Sequence, residues 1–206
     1  MTAPKRVTRR RAETRQRLLD AALAVFAREG FGRSTVEQVC EHAGYTRGAF
    51  YSNFASLDEL FLAMWEQRSA AMIAEVEAVF ERAEHDGVRD VRDMVELLLE
   101  AVPLDEGWHR VSAEFTAHAL RTPALRRVVT AREEAIAAAL TPFVTAGLAR
   151  LGRVVLDPVA LGQAIVAVHD GTSTQCLMDP GDAAVRARRV ELFVHVVTAY
   201  SSESGE

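Results

Sequence analysis

Lysine is nearly missing from this chain: of 24 basic residues only Lys5 is not an arginine, and Asn53 is the lone asparagine. That skew reads as a bias of coding composition, not of function. Cysteine is equally scarce. Cys40 and Cys176 lie far apart inside helical patterns, match no zinc spacing or CxxC pair, and make a poor disulfide framework. A reducing, cytoplasmic compartment is therefore expected. No apolar run approaches the roughly 18 residues of a membrane span, and the arginine-rich start is not followed by an apolar stretch. The six histidines show no HExxH, and no GxGxxG, Walker or GxSxG pattern occurs. Enzyme chemistry, a cofactor, a metal and a membrane partner all lack a motif to stand on. His169-Asp170 reads as a helix-surface or interface pair.

What the chain does have is an uneven charge. Its 206 residues are 49% hydrophobic and 26% charged, near the mean for globular proteins, with a net charge of −5. Residues 1–55 carry ten basic and five acidic groups, a net +5, which leaves −10 on residues 56–206. A basic head on an acidic body fits a head that meets a polyanion. A solvated arginine face would give the same count.

Apolar spacing is helical nearly throughout. Leu19, Ala22, Leu23 and Phe26 recur at i, i+3, i+4, i+7 until Gly30. Ser34-Thr35-Val36-Glu37 has the form of a capping box opening a short helix from Val36 to Ala43, and Gly44 ends it. Thr46 caps a third helix through Phe50-Tyr51, and Ser56-Leu57-Asp58-Glu59 opens a long helix to about Ala83. Further helices are predicted at 88–102, 107–120, 123–150, 158–177 and 183–200. Pro103, Pro123, Pro158 and Pro180 stand at their boundaries, and Pro142 predicts a kink within one. No period-two strand and no internal repeat is evident. The fold class is all-α.

Two short helices joined at Gly44-Tyr45 make a helix-turn-helix, which can present the N-terminus of its second helix to base edges in a major groove. Such a pair is also a common packing unit. The stretch Ser34–Phe61 decides the reading: Ser34-Thr35-Val36, Ala43-Gly44-Tyr45-Thr46-Arg47-Gly48, Phe50-Tyr51, Phe54, and Ser56 with Asp58-Glu59-Leu60. With Phe26-Ala27-Arg28-Glu29-Gly30-Phe31 before it, this resembles the DNA-binding head of the TetR family of bacterial transcription regulators, over about residues 10–65.

The resemblance implies a homodimer of about nine helices per subunit that binds a palindromic double-stranded DNA operator and answers to a small-molecule effector. A repressor is the expected role. The expected divisions are a loose basic arm (1–9), a DNA-binding domain (10–56), a ligand-binding and dimerisation domain (57–200) and a loose tail (201–206). Thr35, Tyr51 and Ser56 would contact phosphates, with Ser52 and Asn53 as further candidates; Thr46, Arg47, Gly48 and Ala49 would face the bases. Arg47 is the residue there able to grip guanine O6 and N7 in two hydrogen bonds. Leu57 stands where the family often has a phosphate-binding lysine. Cys40, where alanine is usual, reads as a small buried residue. Arg6 and Arg9-Arg10-Arg11 either reach the DNA or form a solubilising tail.

In the body, Trp108, Val111, Phe115 and His118 lie on one helical face, and Met72, Met94 and Phe143 are expected around them as an effector cavity for an apolar or amphipathic molecule. A plain core stripe accounts for the same spacing. Ile165, Val168, Gly171, Leu192, Phe193, Val196 and Tyr200, on the last two helices, are the expected dimer surface, in a four-helix bundle between subunits. An effector preferring the DNA-incompetent state by about 3 kcal/mol would lower operator affinity more than a hundredfold. The competing reading is a helical small-molecule carrier or enzyme that has a helix-turn-helix-like corner without specific DNA binding.

Overall fold

Leu18, Leu19, Ala22, Val25 and Phe26 form a fully buried stripe along the first helix of a computed structural model that describes residues 3–204. Among the described residues there are nine α-helices: α1 (Ala3–Glu29), α2 (Val36–Ala43), α3 (Arg47–Tyr51), α4 (Leu57–Asp86), α5 (Val91–Ala101), α6 (Glu106–Ala119), α7 (Pro123–Arg150), α8 (Pro158–Met178) and α9 (Ala183–Ala199). A 3-10 turn at Phe31–Arg33 links α1 to α2. The chain divides into two compact units. The first holds residues 1–68 and 105–123, the second residues 69–104 and 124–206.

α6 therefore belongs to the same unit as α1–α3, contrary to the division expected at residue 57. The reason is aromatic packing. Phe61 stacks on Phe115 with ring centroids 3.9 Å apart and lies nearly parallel to Trp108 at 5.6 Å. Phe31 meets Phe26, Phe61 and Phe115 edge-on at 5.1–5.7 Å, the arrangement that ring quadrupoles favour. Polar contacts close the same seam. The Phe31 amide donates to Glu114 Oε2 at 2.6 Å, and Arg110 Nη2 donates to the Ala27 carbonyl at 2.8 Å. Gly30, at φ +87°, takes a backbone conformation that other residues adopt only with strain, and the Glu114 carboxylate lies 2.9 Å from where its Cβ would stand.

The second unit is centred on Phe80, Met94, Leu140, Leu148, Leu161 and Phe193. Pro123 and Pro158 occupy the first positions of α7 and α8, where the missing N–H costs nothing. Asp90, Asp157 and Asp182 cap α5, α8 and α9 through their carboxylates.

Both chain ends depart from expectation. Instead of a loose tail, Ser201–Glu203 forms a strand (β2) antiparallel to Arg153–Val155 (β1), with Arg153 opposite Glu203. Arg153 ties it by donating to Ser201 Oγ and to the Ser201 carbonyl, each at 2.8 Å. Three-residue strands carry no legible period, and this pair exists only through contacts between residues 48 apart. At the other end the backbone of residues 3–9 continues α1, so the expected loose arm is helical there. Met1, Thr2, Gly205, Glu206 and the side chains of Lys5 and Arg6 lie outside the described residues.

Candidate nucleic-acid interface

Thr35 starts the helix pair. Its extended backbone and its Oγ1, accepting from the Gln38 amide, cap α2, while Gln38 Oε1 accepts from the Thr35 amide at 2.8 Å. The capping box thus sits one residue later than expected, on Thr35 and Gln38 rather than Ser34 and Glu37. Ser34 instead donates to the Gly30 carbonyl at 2.8 Å. Gly44 then reverses the chain at φ +71°, where a left-handed residue is needed. Thr46 caps α3 by accepting from the Ala49 amide. Val39, Cys40, Phe50 and Phe54 are buried beneath the pair.

This packing leaves a polar outer edge. Thr35, Thr46, Arg47, Gly48 and Tyr51 are exposed and Ala49 is half-buried. Arg47 Nη1 lies 2.7 Å from Glu37 Oε1, and its guanidinium sits 5.8 Å from the Tyr51 ring centroid. A hydrogen bond with Tyr51, then the Glu37 charge, pushes the guanidinium even further above its ordinary value. Arg47 is a fixed cation at every accessible pH. Burial, with a contribution from Glu37, pushes the Cys40 thiol up, which suits an inert packing residue.

The remaining candidates are engaged locally. Ser52 Oγ and Asn53 Nδ2 each donate to the Ala49 carbonyl at 2.8 Å, closing the end of α3. Ser56 accepts from the Glu59 amide at 3.1 Å as the cap of α4. All three hydroxyls that cap helices, on Thr35, Thr46 and Ser56, use an acceptor lone pair and keep an O–H to donate. Two arginines act in ways the sequence did not disclose. Arg11 Nη2 donates to the Ser52 carbonyl at 3.0 Å, and the Arg15 guanidinium lies 4.4 Å over Phe54. Both brace the end of α3 from α1, and no local spacing could have linked residues 41 and 39 apart.

A model for bacterial regulatory proteins of the tetR family matches residues 18–64, and one for the C-terminal part of BetI-type transcriptional repressors matches residues 87–199. The chain belongs to the TetR family. Among its relatives, the regulator AcrR of Shigella flexneri is 33% identical over 95 residues, 46% of this chain and 44% of that protein. The repressor AcnR of Corynebacterium diphtheriae is 33% identical over 112 residues, 54% of this chain and 53% of that protein. The chain thus matches about half the length of these curated relatives. In fold, a TetR-family regulator from Mesorhizobium loti superposes with a TM-score of 0.71 at 17% identity, covering 93% of this chain and 96% of that one. The FadR regulator of Bacillus subtilis, solved with stearoyl-CoA, gives 0.68 at 19% identity, covering 89% and 97%.

In this TetR-family chain the residues expected to line one effector cavity fall in different units. Trp108, Val111, Phe115 and His118 are in the first, Met72, Met94 and Phe143 in the second. Val111 and Phe115 are fully buried in the aromatic seam of the first unit. His118 Nε2 stands 3.3 Å from Asp58 Oδ1 without hydrogen-bond alignment, an ion pair only when the ring is protonated. In the second unit Met94 is buried beside Phe80, which faces Phe143 at 6.4 Å.

The expected dimer surface also divides. Ile165 and Phe193 are 5% and 1% exposed and belong to the subunit's own core, so they are not surface residues. Gly171, Leu192 and Tyr200 are exposed, and Val168 and Val196 half-buried. Met178, 83% exposed at the end of α8, is an apolar surface residue that the helical pattern did not single out. Within α8 and α9, Arg189 is buried, donating to Ser173 Oγ at 2.9 Å and lying 3.2 Å from His169 Nδ1. Burial pulls its guanidinium below the ordinary value. Among the described residues no helix is long and apolar enough to cross a membrane, and no cluster of three or more metal-ligating side chains occurs.

Proposed function

We propose that this chain is a transcriptional repressor of the TetR family that binds a palindromic operator as a homodimer and is released by an apolar or amphipathic effector. One observation carries the reading. Arg47, a permanent cation 62% exposed in its side chain, stands at the start of α3 between two capped helix ends, with Tyr51 beside it. That is the placement a guanine-reading arginine needs, with Thr35 and Tyr51 hydroxyls at hand for flanking phosphates. One five-residue helix contacts too few bases for a specific site, so a two-fold pair of heads is required.

The exposed Gly171, Met178, Leu192 and Tyr200 supply an apolar surface on α8 and α9 for that pairing. For the effector, Phe80, Met94 and Phe143 of the second unit offer an aromatic and sulfur-rich lining. An apolar effector class also accords with the stearoyl-CoA bound to B. subtilis FadR. The protein acts in the cytoplasm, on the nucleoid.

Selection of bound sequences from random duplex DNA tests the reading. A palindrome is expected, bound about a thousandfold or more tighter than random DNA, with Arg47→Ala and Tyr51→Phe both weakening it. Enrichment of no sequence, with affinity equal for all duplexes, would refute the assignment.

A further inference from the structure

Because the capping box of α2 lies on Thr35 and Gln38, the Glu37 carboxylate is not spent on the helix end. It is half-exposed on the outer face of α2, with its Oε1 2.7 Å from Arg47 Nη1. A carboxylate at this place is costly for generic DNA binding. It sits in the first turn of a helix whose N-terminus suits a phosphate, and it repels the backbone it must approach. Paired with Arg47 at the start of α3, it sets an acceptor beside the cation proposed to read a base.

We infer that Glu37 is a specificity-determining residue of the interface, accepting a hydrogen bond from the exocyclic amino group of a cytosine in the base pair adjoining the guanine read by Arg47. The inference rests on the proposed operator binding and adds a second reader to it. A carboxylate offers about four acceptor positions, of which Arg47 takes one. The guanidinium has five N–H donors, and one given to Glu37 leaves enough for guanine O6 and N7 together. The ion pair also fixes the side chains relative to each other, so that neighbouring base edges are read in register.

Base chemistry selects the partner. In the major groove guanine presents only acceptors, and thymine an acceptor and a methyl group; a carboxylate is repelled by the first and finds no donor on the second. Adenine sets its N7 lone pair beside its amino donor, whereas cytosine presents the amino donor alone. Cytosine is therefore the base that a carboxylate held beside an arginine fits.

The test uses the full chain as wild type, Glu37→Ala and Glu37→Gln, each taken through selection from random duplex DNA and then titrated on the wild-type site and on single-base variants. Wild-type half-sites are expected to carry guanine next to a cytosine. E37A should keep the guanine, lose about 5- to 150-fold of the preference for that cytosine, and bind random DNA more tightly because a repulsive charge is gone. E37Q should move the same position toward adenine, the base an amide reads in two hydrogen bonds. A purely helix-stabilising or Arg47-holding role leaves the cytosine preference of both variants at the wild-type value, and that result overturns the inference while the repressor reading stands. If the wild type itself enriches no site, both fall together.

Discussion

At the scale of single residues, the closest tolerances are in the second unit. A Cβ built on Gly162 would stand 2.5 Å from Thr141 Oγ1 and 3.4 Å from the Ala137 carbonyl. Thr141 cannot swing aside freely, because its hydroxyl donates to that same carbonyl at 2.7 Å. Gly162→Ala should therefore force α7 and α8 apart and destabilise the fold by about 1–3 kcal/mol, read as a lowered denaturant midpoint. Glu133 on α7 illustrates the reverse. Burial, and then Asp170, pushes its carboxyl above the ordinary value, so the folded state holds its proton more tightly than the unfolded chain. The penalty is absent below the unfolded value near about 4.3 and grows as pH rises toward the folded one. Glu133→Gln should raise the melting temperature at pH 7 and leave it unchanged at pH 4. Equal effects at both pH values would dismiss the titration argument.

At the scale of elements, α6 depends on its first turn. Asp105 accepts from the Trp108 amide at 2.9 Å and from Arg68 Nη2 at 2.6 Å, while Arg68 also lies 4.9 Å over the Trp108 ring. Burial on its own would push this carboxyl up, but the Trp108 amide, Arg68 and the Gly107 amide together hold it below the ordinary value. A depressed carboxyl stabilises above the unfolded value near about 3.9 and loses that contribution as pH falls through the folded one. Asp105→Ala should cost about 1 kcal/mol at neutral pH through the lost cap and flatten the stability curve below pH 4. Because Phe115, Glu114 and Arg110 carry α6 onto Phe31 and α1, amide exchange should also quicken at the end of α1. An exchange change confined to α6 would show that the seam does not act as one element.

At the scale of the whole molecule, the proposed operator reading stands or falls with pairing. Leu192 is 38% exposed on α9 and makes no part of the subunit's core, so charge placed there has little effect on the fold of one chain. Leu192→Arg should leave the circular dichroism spectrum intact, sediment as a monomer and lose at least a hundredfold in affinity for a palindromic duplex. A variant that stays dimeric would move the interface away from this face of α9.

The all-α class, the helix boundaries near Gly30, Gly44 and the prolines, and the short helix pair that carries Thr35–Asn53 are properties of the sequence alone. Helical period, capping residues and glycine turns act within a few positions and need no partner. Only the tertiary structure decided the rest. Arg11 and Arg15 turned out to brace α3, α6 joined the DNA-binding unit, Ile165 and Phe193 went to the core, and the last residues found a strand to pair with. Even the helix-opening motif closed one residue later than its spacing indicated. Glu37 was placed beside Arg47 only once Gln38 took the cap. These are contests between groups of similar chemistry, settled by which partner folding brings within about 3 Å, and a linear chain holds no record of that distance.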